Sequence, residues 1–440
     1  MDRIAKLRAA VATLRPVRLF GHVIESHGQC VVLDGLSQNA RLGDWIALHP
    51  AQGAPILAEV VRLESDRLHA FPNGDPVGLA LGDSAELLGP RQLAPDTSWI
   101  GRVIDPFGQP LDGRPLAMGP HPRTVTSAPP NPARRGRLGQ RLDTGMAVFN
   151  TFLPLVAGQR IGLFAGSGVG KTMLLGNFAR LVQADVVVIG LIGERGRELR
   201  EFVEDVLGED GLKRAVIVTA TSDQPALTRK RCAEAAMTVA EHFRDQGKHV
   251  LLLADSVTRM AEAHREVALA SGESASLRGF PPSLSHRIMA LAERAGPGQD
   301  GVGAITAVFT VLVAGSDMEE PVADILRGVL DGHVVMDRAI AERGRFPAVD
   351  VLRSVSRSLP RAASPEENAR LAEARRLLGA YDRSEMMIQA GLYEPGTDPL
   401  LDRAVAVWPA LDAFMAEMAP HGVRGAFAKL AQCLDPPAKP

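Results

Sequence analysis

Cysteine is scarce in this 440-residue chain: Cys30, Cys232 and Cys433 stand far apart, with no CxxC spacing. Their isolation excludes a disulfide framework and a cysteine-based zinc site, and it fits a reducing, cytoplasmic compartment. Aromatic residues are also few, at 4%, too few for a surface that stacks many bases. Nor does charge of one sign dominate, since 49 basic against 51 acidic residues leave a formal net charge of −2. Without a cationic field a polyanionic partner finds no footprint, so nucleic acid is not an expected ligand. No stretch reaches 18 uninterrupted apolar residues. Met1–Arg18 carries Arg3, Lys6, Arg8 and Arg15 between its apolar positions, unlike a signal peptide or a spanning helix. Solenoid-spaced repeats and low-complexity tracts are missing too.

What is present is a soluble globular composition, 46% hydrophobic and 23% charged, in a length that calls for two or three domains. Ile4, Leu7, Val11 and Leu14 recur at helical spacing and predict a short amphipathic helix within residues 1–18, stopped before Pro16. Its apolar stripe needs a cover, either the chain's own body or a partner helix. Across residues 19–92, short apolar runs such as CVVLDG and ILAEVVRLE are separated by Gly, Asp, Asn and Pro, the pattern of a small β-barrel or sandwich. Residues 93–362 form the next region. It opens, over 93–150, with an extended connector rich in Pro, Gly and Arg, in which Arg134, Arg135 and Arg137 are expected on a solvated face. Strand-length runs (RIGLFAG, ADVVVIGLIG, RAVIVTAT, HVLLLADS, GAITAVFTVLV) then alternate with helical patterns, which means crossover units on a mostly parallel sheet. Between the second and third runs, Leu199, Phe202, Val203, Val206 and Leu207 share one helix face. Residues 363–440 read as helices. The expected fold is therefore multidomain α/β, with an N-terminal barrel, a central α/β domain and a C-terminal helical domain.

The segment Ile161–Thr172, IGLFAGSGVGKT, reads as a buried strand running into a glycine-rich loop and then a helix. Gly166, Gly168 and Gly170 let backbone N–H groups turn inward on the phosphates of a nucleoside triphosphate, and the helix points its positive end at them. Lys171 would reach the β and γ phosphates, and the Thr172 hydroxyl would ligate Mg²⁺. Ala165 stands where the usual GxxxxGK[ST] pattern opens with glycine. HVLLLADS ends at Asp255, placed to hold a Mg²⁺-bound water opposite Thr172; the competing reading is a helix-capping Asp. Glu194, at the end of the neighbouring run, is the candidate for orienting the attacking water. Glu198 competes with it, but falls in the first turn of a helix, where negative charge is favourable. Arg195 either couples this base to a neighbouring subunit or merely starts the helix.

Four longer segments carry a resemblance. They are LIGERGRELREFVEDVLG, HVLLLADSVTRMAEAHRE, the run from GAITAVFTVLVAGSDMEE to RGRFPAVDVLRSVSRSLP, and YDRSEMMIQAGLYEPGTDPLLDRAV. Together they resemble the flagellar export ATPases of the type III secretion ATPase family, related to the injectisome ATPases and, more remotely, to rotary ATP synthase catalytic subunits. GERGRE, where the rotary subunits have GERTREG, favours the secretion branch. The resemblance implies a RecA-like central domain. It implies that Gly166, Ser167, Gly168, Val169, Gly170, Lys171 and Thr172 bind phosphates and Mg²⁺, that Glu194 activates water, and that Asp255 supports the metal. Phe346, in RGRFPAVD, falls where the family stacks an aromatic on adenine, although a Phe before Pro also reads as core. Arg357, in SVSR, matches the arginine that reaches into the adjacent subunit's site. ATP and Mg²⁺ are the implied substrate and cofactor.

The same resemblance implies a homohexamer, a regulatory partner on the N-terminal helix and a stalk-like coiled-coil protein at the C-terminal domain. It further implies an export gate at the membrane, export chaperones and their substrates, and a cytoplasmic location, peripheral to the inner membrane at the flagellar base. The loop Ser271–Ser283 corresponds to one that lines the central pore in the family. The C-terminal region lacks the clustered acidic segment of rotary catalytic subunits. The rival readings are an injectisome ATPase, which shares the same site; a non-catalytic or rotary-type nucleotide-binding subunit, against which Lys171, Glu194 and Asp255 all speak; and a ring helicase or transcription terminator. The last would need a nucleic-acid platform, and residues 17–89 offer few aromatics for one, Phe20, Trp45 and Phe71 among them.

Overall fold

A computed structural model describes residues 17–27, 29–313 and 318–435. The amphipathic stripe Ile4–Leu14 lies outside the described residues. The short runs that follow close into a six-stranded antiparallel barrel: β1 (Phe20–His27), β2 (Cys30–Asp34), β3 (Trp45–His49), β4 (Ile56–Leu63), β5 (Arg67–Pro72) and β6 (Ser84–Gly89), in the order β1-β2-β5-β4-β3-β6. Period-two alternation sends Val31, Leu33, Ile46, Leu48, Leu68 and Ala70 inward to a common core. Closure leaves no long exposed edge. Trp45 and Phe71 are buried where the barrel meets Leu227, Ala263 and Val267 of the central region, so neither offers a face for bases. Lys230 donates to Glu59 across this junction at 2.9 Å, and the Arg231 guanidinium sits 5.0 Å from the Phe107 ring centre.

The connector does more than lie over the next domain. β7 (Gln92–Leu93) pairs with β9 (Arg123–Thr124), while β8 (Arg102–Ile104) joins the large sheet as an edge strand alongside the strand Ala215–Thr221. Arg102 is held by a two-pronged pair with Asp112, at 2.5 and 2.7 Å. Arg135 corrects the solvated-face expectation: it is partly buried, pairs with Glu293 at 2.7 Å and donates to the carbonyls of Glu293 and Ala295. Arg134 is exposed and pairs with Asp300. Arg137 is exposed.

The five predicted runs become β10 (Arg160–Ala165), β11 (Val186–Glu194), β12 (Ala215–Thr221), β13 (His249–Asp255) and β15 (Ala304–Leu312), all parallel. β14 (Gly296–Pro297) pairs antiparallel with β15, and with β16 (Gly332–Met336) and β17 (Val349–Ser356) the sheet runs β17-β16-β10-β15-β13-β11-β12-β8. Continuous apolar runs follow from two covered faces. Val187, Ile189 and Leu191 meet the helix Lys171–Leu181 through Leu174, Leu175 and Phe178. Val186, Val188 and Ile192 meet the helix Ala226–Arg244 on the other face. β16 and β17 were not among the five runs. β17 is an antiparallel edge strand whose buried residues alternate with exposed ones, so Asp350 and Arg353 interrupt its apolar signature.

The helix read through Leu199–Leu207 is broken. It runs as Gly196–Glu201, a π-helical turn over Phe202–Leu207, and Gly208–Leu212. Phe202 and Leu207, five residues apart, are its fully buried members, and a π turn is what brings i and i+5 onto one side. Three C-terminal helices follow, Pro365–Gln389, Pro399–Ala416 and Gly422–Leu434; the first opens with a capping box between Ser364 and Glu367. Leu371, Leu377, Val407, Leu411, Phe414 and Leu430 share a core with the P-loop side of the sheet. Among the described residues no helix is long and apolar enough to cross a membrane.

Candidate active site

The chemistry-bearing residues converge where parallel strands end. Ala165, Glu194 and Asp255 terminate β10, β11 and β13, and the crevice outside such carboxyl ends is where open α/β sheets bind ligands. Ala165 is fully buried within the core on the P-loop side of the sheet, and it pairs with Leu312 and Met336. Its methyl therefore fills core rather than loop, which accounts for alanine at that position. Val169 also turns its side chain into the core, while Ser167 is exposed. Gly168 (φ 79°) and Gly170 (φ 84°) take left-handed conformations that other residues adopt only with strain. Gly170 is the N-cap of the helix Lys171–Leu181, and no side chain among the described residues caps it. The first N–H groups of that helix are thus left for an anion.

Lys171 is mostly buried and lies between two carboxylates, 2.6 Å from Asp255 Oδ1 and 3.5 Å from Glu194 Oε1. Burial works against its charge, but Asp255 and Glu194 outweigh that and hold it firmly as the ammonium. Asp255 Oδ1 also accepts from Thr310 Oγ1 at 2.6 Å. The following helix, Val257–Ala270, is capped by Ser256, so the capping alternative for Asp255 falls to its neighbour. Thr172 stands exposed one residue past Lys171.

Burial pushes the Glu194 carboxyl up to about 7, against the pull of Lys171 and with help from its hydrogen bond to Glu198. That same bond, followed by Arg195, lowers Glu198, so the two carboxyls titrate as a pair with Glu194 displaced upward and Glu198 downward. Glu198 does lie in the first turn of its helix, and it also touches the candidate base. Arg195 points to solvent, its closest acidic partner being Glu198 at 3.7 Å.

Phe346 comes to the site from far along the chain. A Cβ added to Gly170 would sit 3.0 Å from its ring, yet the ring is half exposed, with one side against the loop and the rest open. The core alternative is thereby set aside. Arg357 is not brought to this cluster. It follows β17 beside the start of β16, is exposed, and among the described residues its guanidinium reaches the Arg327 carbonyl alone, at 3.4 Å.

Sequence reasoning missed Thr310 and Arg259. Thr310 contacts Asp255 across 55 residues, in a run that reads only as apolar strand. Arg259 packs against Gly193, pairs with Glu262 at 2.9 Å and lies close enough to Glu194 and Glu198 to feel their charge. Its position four residues after Asp255, on the same strand-to-helix turn, was the available signal. Among the described residues no group of three or more His, Cys, Asp or Glu could hold a metal unaided.

The fold and its glycine-rich loop are of the P-loop nucleoside triphosphatase class, and residues 145–356 match the model of the ATP synthase alpha/beta family nucleotide-binding domain. Residues 363–419 match the T3SS EscN ATPase C-terminal domain. The flagellum-specific ATP synthase of Caulobacter vibrioides is 45% identical over 418 residues, covering 93% of this chain and 94% of that protein. Its namesake in Salmonella typhimurium is 40% identical over 428 residues, covering 95% and 93%. The chain belongs to the flagellum-specific ATP synthase family, within the type III export ATPases. Its fold matches the assembled ATPase EscN of the enteropathogenic E. coli type III secretion system, at a TM-score of 0.86 and 36% identity over 94% of this chain and all of that one. EscN in complex with its central stalk EscO matches at 0.84 and 37%, with the same coverage.

Proposed function

We propose that this chain hydrolyses ATP as a homohexameric ring that energises flagellar type III protein export. The observation that carries the reading is the placement of the Lys171 ammonium between Asp255 and Glu194, at the mouth of an uncapped glycine loop. A γ-phosphate entering there competes for Lys171, and the backbone of Gly166–Gly170 follows the phosphates inward. The oxygen donors present, the exposed Thr172 hydroxyl and the Asp255 carboxylate, suit Mg²⁺, which takes few protein ligands beside phosphate oxygens and water and would neutralise charge on the phosphates. Lys171 meeting the phosphate from between the two carboxylates would stay beside Glu194, keeping its carboxyl able to accept a proton from the attacking water that it holds. Arg357 of one subunit would complete the site of its neighbour. Phe346 would lie along adenine. Arg195, exposed at the helix start, faces outward where a neighbour would dock.

The EscN relatives, solved assembled and with a stalk, support a ring and a stalk-like coiled-coil partner at the C-terminal helices. The flagellar relatives support a role in the flagellum; on this reading the ring would work in the cytoplasm at the export gate of the inner membrane, releasing chaperones and delivering unfolded substrates. A regulatory partner would take residues 1–18. The domains proposed are 19–92, 93–362 and 363–440.

Glu194→Gln tests the base. It should lower kcat about 10²- to 10⁴-fold, the span of a lost general base, while nucleotide binding persists; near-normal turnover would remove the role. Its stability effect has a definite sign. The folded protein keeps the Glu194 proton between pH 4.5 and about 7, where the unfolded chain has lost it. Folding stability therefore falls as pH rises through that window. The variant's melting temperature should gain on the parent's from pH 5 to pH 8, and an unchanged difference would contradict the buried carboxyl.

A further inference from the structure

A cleft of about 250 Å³ separates the C-terminal helices from the β16–β17 edge, lined in part by Arg345, Asp350, Tyr381, Trp408 and Asp412. Among the cations lining it is Arg345, the residue before Phe346, whose side chain is only 6% exposed. Arg345 donates to the carbonyl of Pro347 at 3.3 Å and to that of Val349 at 2.9 Å, so one guanidinium clips the turn that carries Phe346. Its Nε lies 2.9 Å from Asp412 Oδ1, on the helix Pro399–Ala416, close as an ion pair though not aligned as a hydrogen bond. Arg343, two residues earlier, pairs with Glu385 at 3.1 Å and lies 5.7 Å from the Trp408 ring centre. At the other end of the turn, the Phe346 ring rests on Gly170 of the phosphate loop.

We propose that Arg345 is a positioning residue through which Asp412, on a C-terminal helix, sets the Phe346 ring against bound adenine. The pair fixes nucleotide affinity, and whatever shifts the helix Pro399–Ala416 changes that affinity without touching the phosphates. Neither side chain meets the reacting atoms. A buried guanidinium with several fixed acceptors resists displacement, because any movement that strips one leaves charge unpaired away from water. This inference rests on Phe346 stacking on adenine.

The test is a kinetic cycle on the full-length assembled protein with Phe346→Ala, Asp412→Asn and both together. Phe346→Ala should raise the KM for ATP about tenfold, the scale of one lost base–aromatic stack. Asp412→Asn should raise KM about three- to tenfold with kcat kept within twofold, and the double variant should match Phe346→Ala alone, because both act through one ring. Affinity for inorganic tripolyphosphate, which has no ring to stack, should stay unchanged in Asp412→Asn. Multiplying KM effects in the double variant, or an Asp412→Asn KM equal to the parent's, would overturn the coupling while leaving the adenine reading intact. An unchanged KM in Phe346→Ala would remove the adenine reading, and the coupling with it. Arg345→Lys keeps charge but loses the fork; it should give the same split between KM and kcat, and a loss of kcat instead would assign Arg345 a general structural role.

Discussion

Lys171→Ala should abolish ATP hydrolysis, by at least about 10³-fold, because two losses coincide. The first is the charge that meets the β and γ phosphates as negative charge shifts in the transition state. The second falls on the base. Lys171 is the main group holding the Glu194 carboxyl down against burial. Without the ammonium, Glu194 faces Asp255 and Glu198, with Arg259 still close enough to feel its charge, and its proton is held into still more alkaline conditions. A carboxyl that keeps its proton cannot accept one from water. Raising the pH should therefore recover little activity, since the phosphate contact stays missing. Turnover within tenfold of the parent at any pH would overturn the site.

Arg357→Ala carries the other large effect. An arginine meeting the transferring phosphoryl group is worth roughly 10³- to 10⁵-fold in rate, or about 4 to 7 kcal/mol of barrier. Geometry excludes this chain's own site as the target. Ser356 pairs with Gly332 at the start of β16, whereas Met336, four residues further along, pairs with Ala165 at the mouth of the phosphate loop. At about 3.3 Å per residue the offset is about 13 Å along the strand, and two further strand positions separate β17 from β10. An exposed arginine so placed acts on a neighbour or not at all. Mixing Lys171→Ala with Arg357→Ala subunits should thus restore activity, because some interfaces would join an intact site to an intact arginine. Mixed rings no more active than either parent would detach Arg357 from catalysis.

The phosphate loop was legible because its demands are local: glycines, a lysine and a hydroxyl in fixed order between a strand and a helix. Glu194 and Asp255 were legible because parallel strands present their last residues to one crevice, so position along a run implies position at a site. Long-range contacts were not. Thr310 on Asp255 joins strands 55 residues apart, and Arg345 with Asp412 joins a strand-edge turn to a distant helix. No periodicity announces either. Phe346 read as core or as stacking from sequence, and only its half-exposed ring against Gly170 favours the second. β17 stayed hidden because an edge strand needs only one apolar face. Arg135 misled for a related reason, since a basic cluster signals solvent until a carboxylate and two carbonyls are found around one of its members.

If each site is completed across a subunit boundary, hydrolysis must depend on assembly. Steady-state ATP hydrolysis per subunit should be followed over a wide range of protein concentration, with light scattering on the same samples to report mass. Specific activity should climb from near zero as hexamer appears and level off when assembly is complete. Flat specific activity carried by a monomer would contradict it.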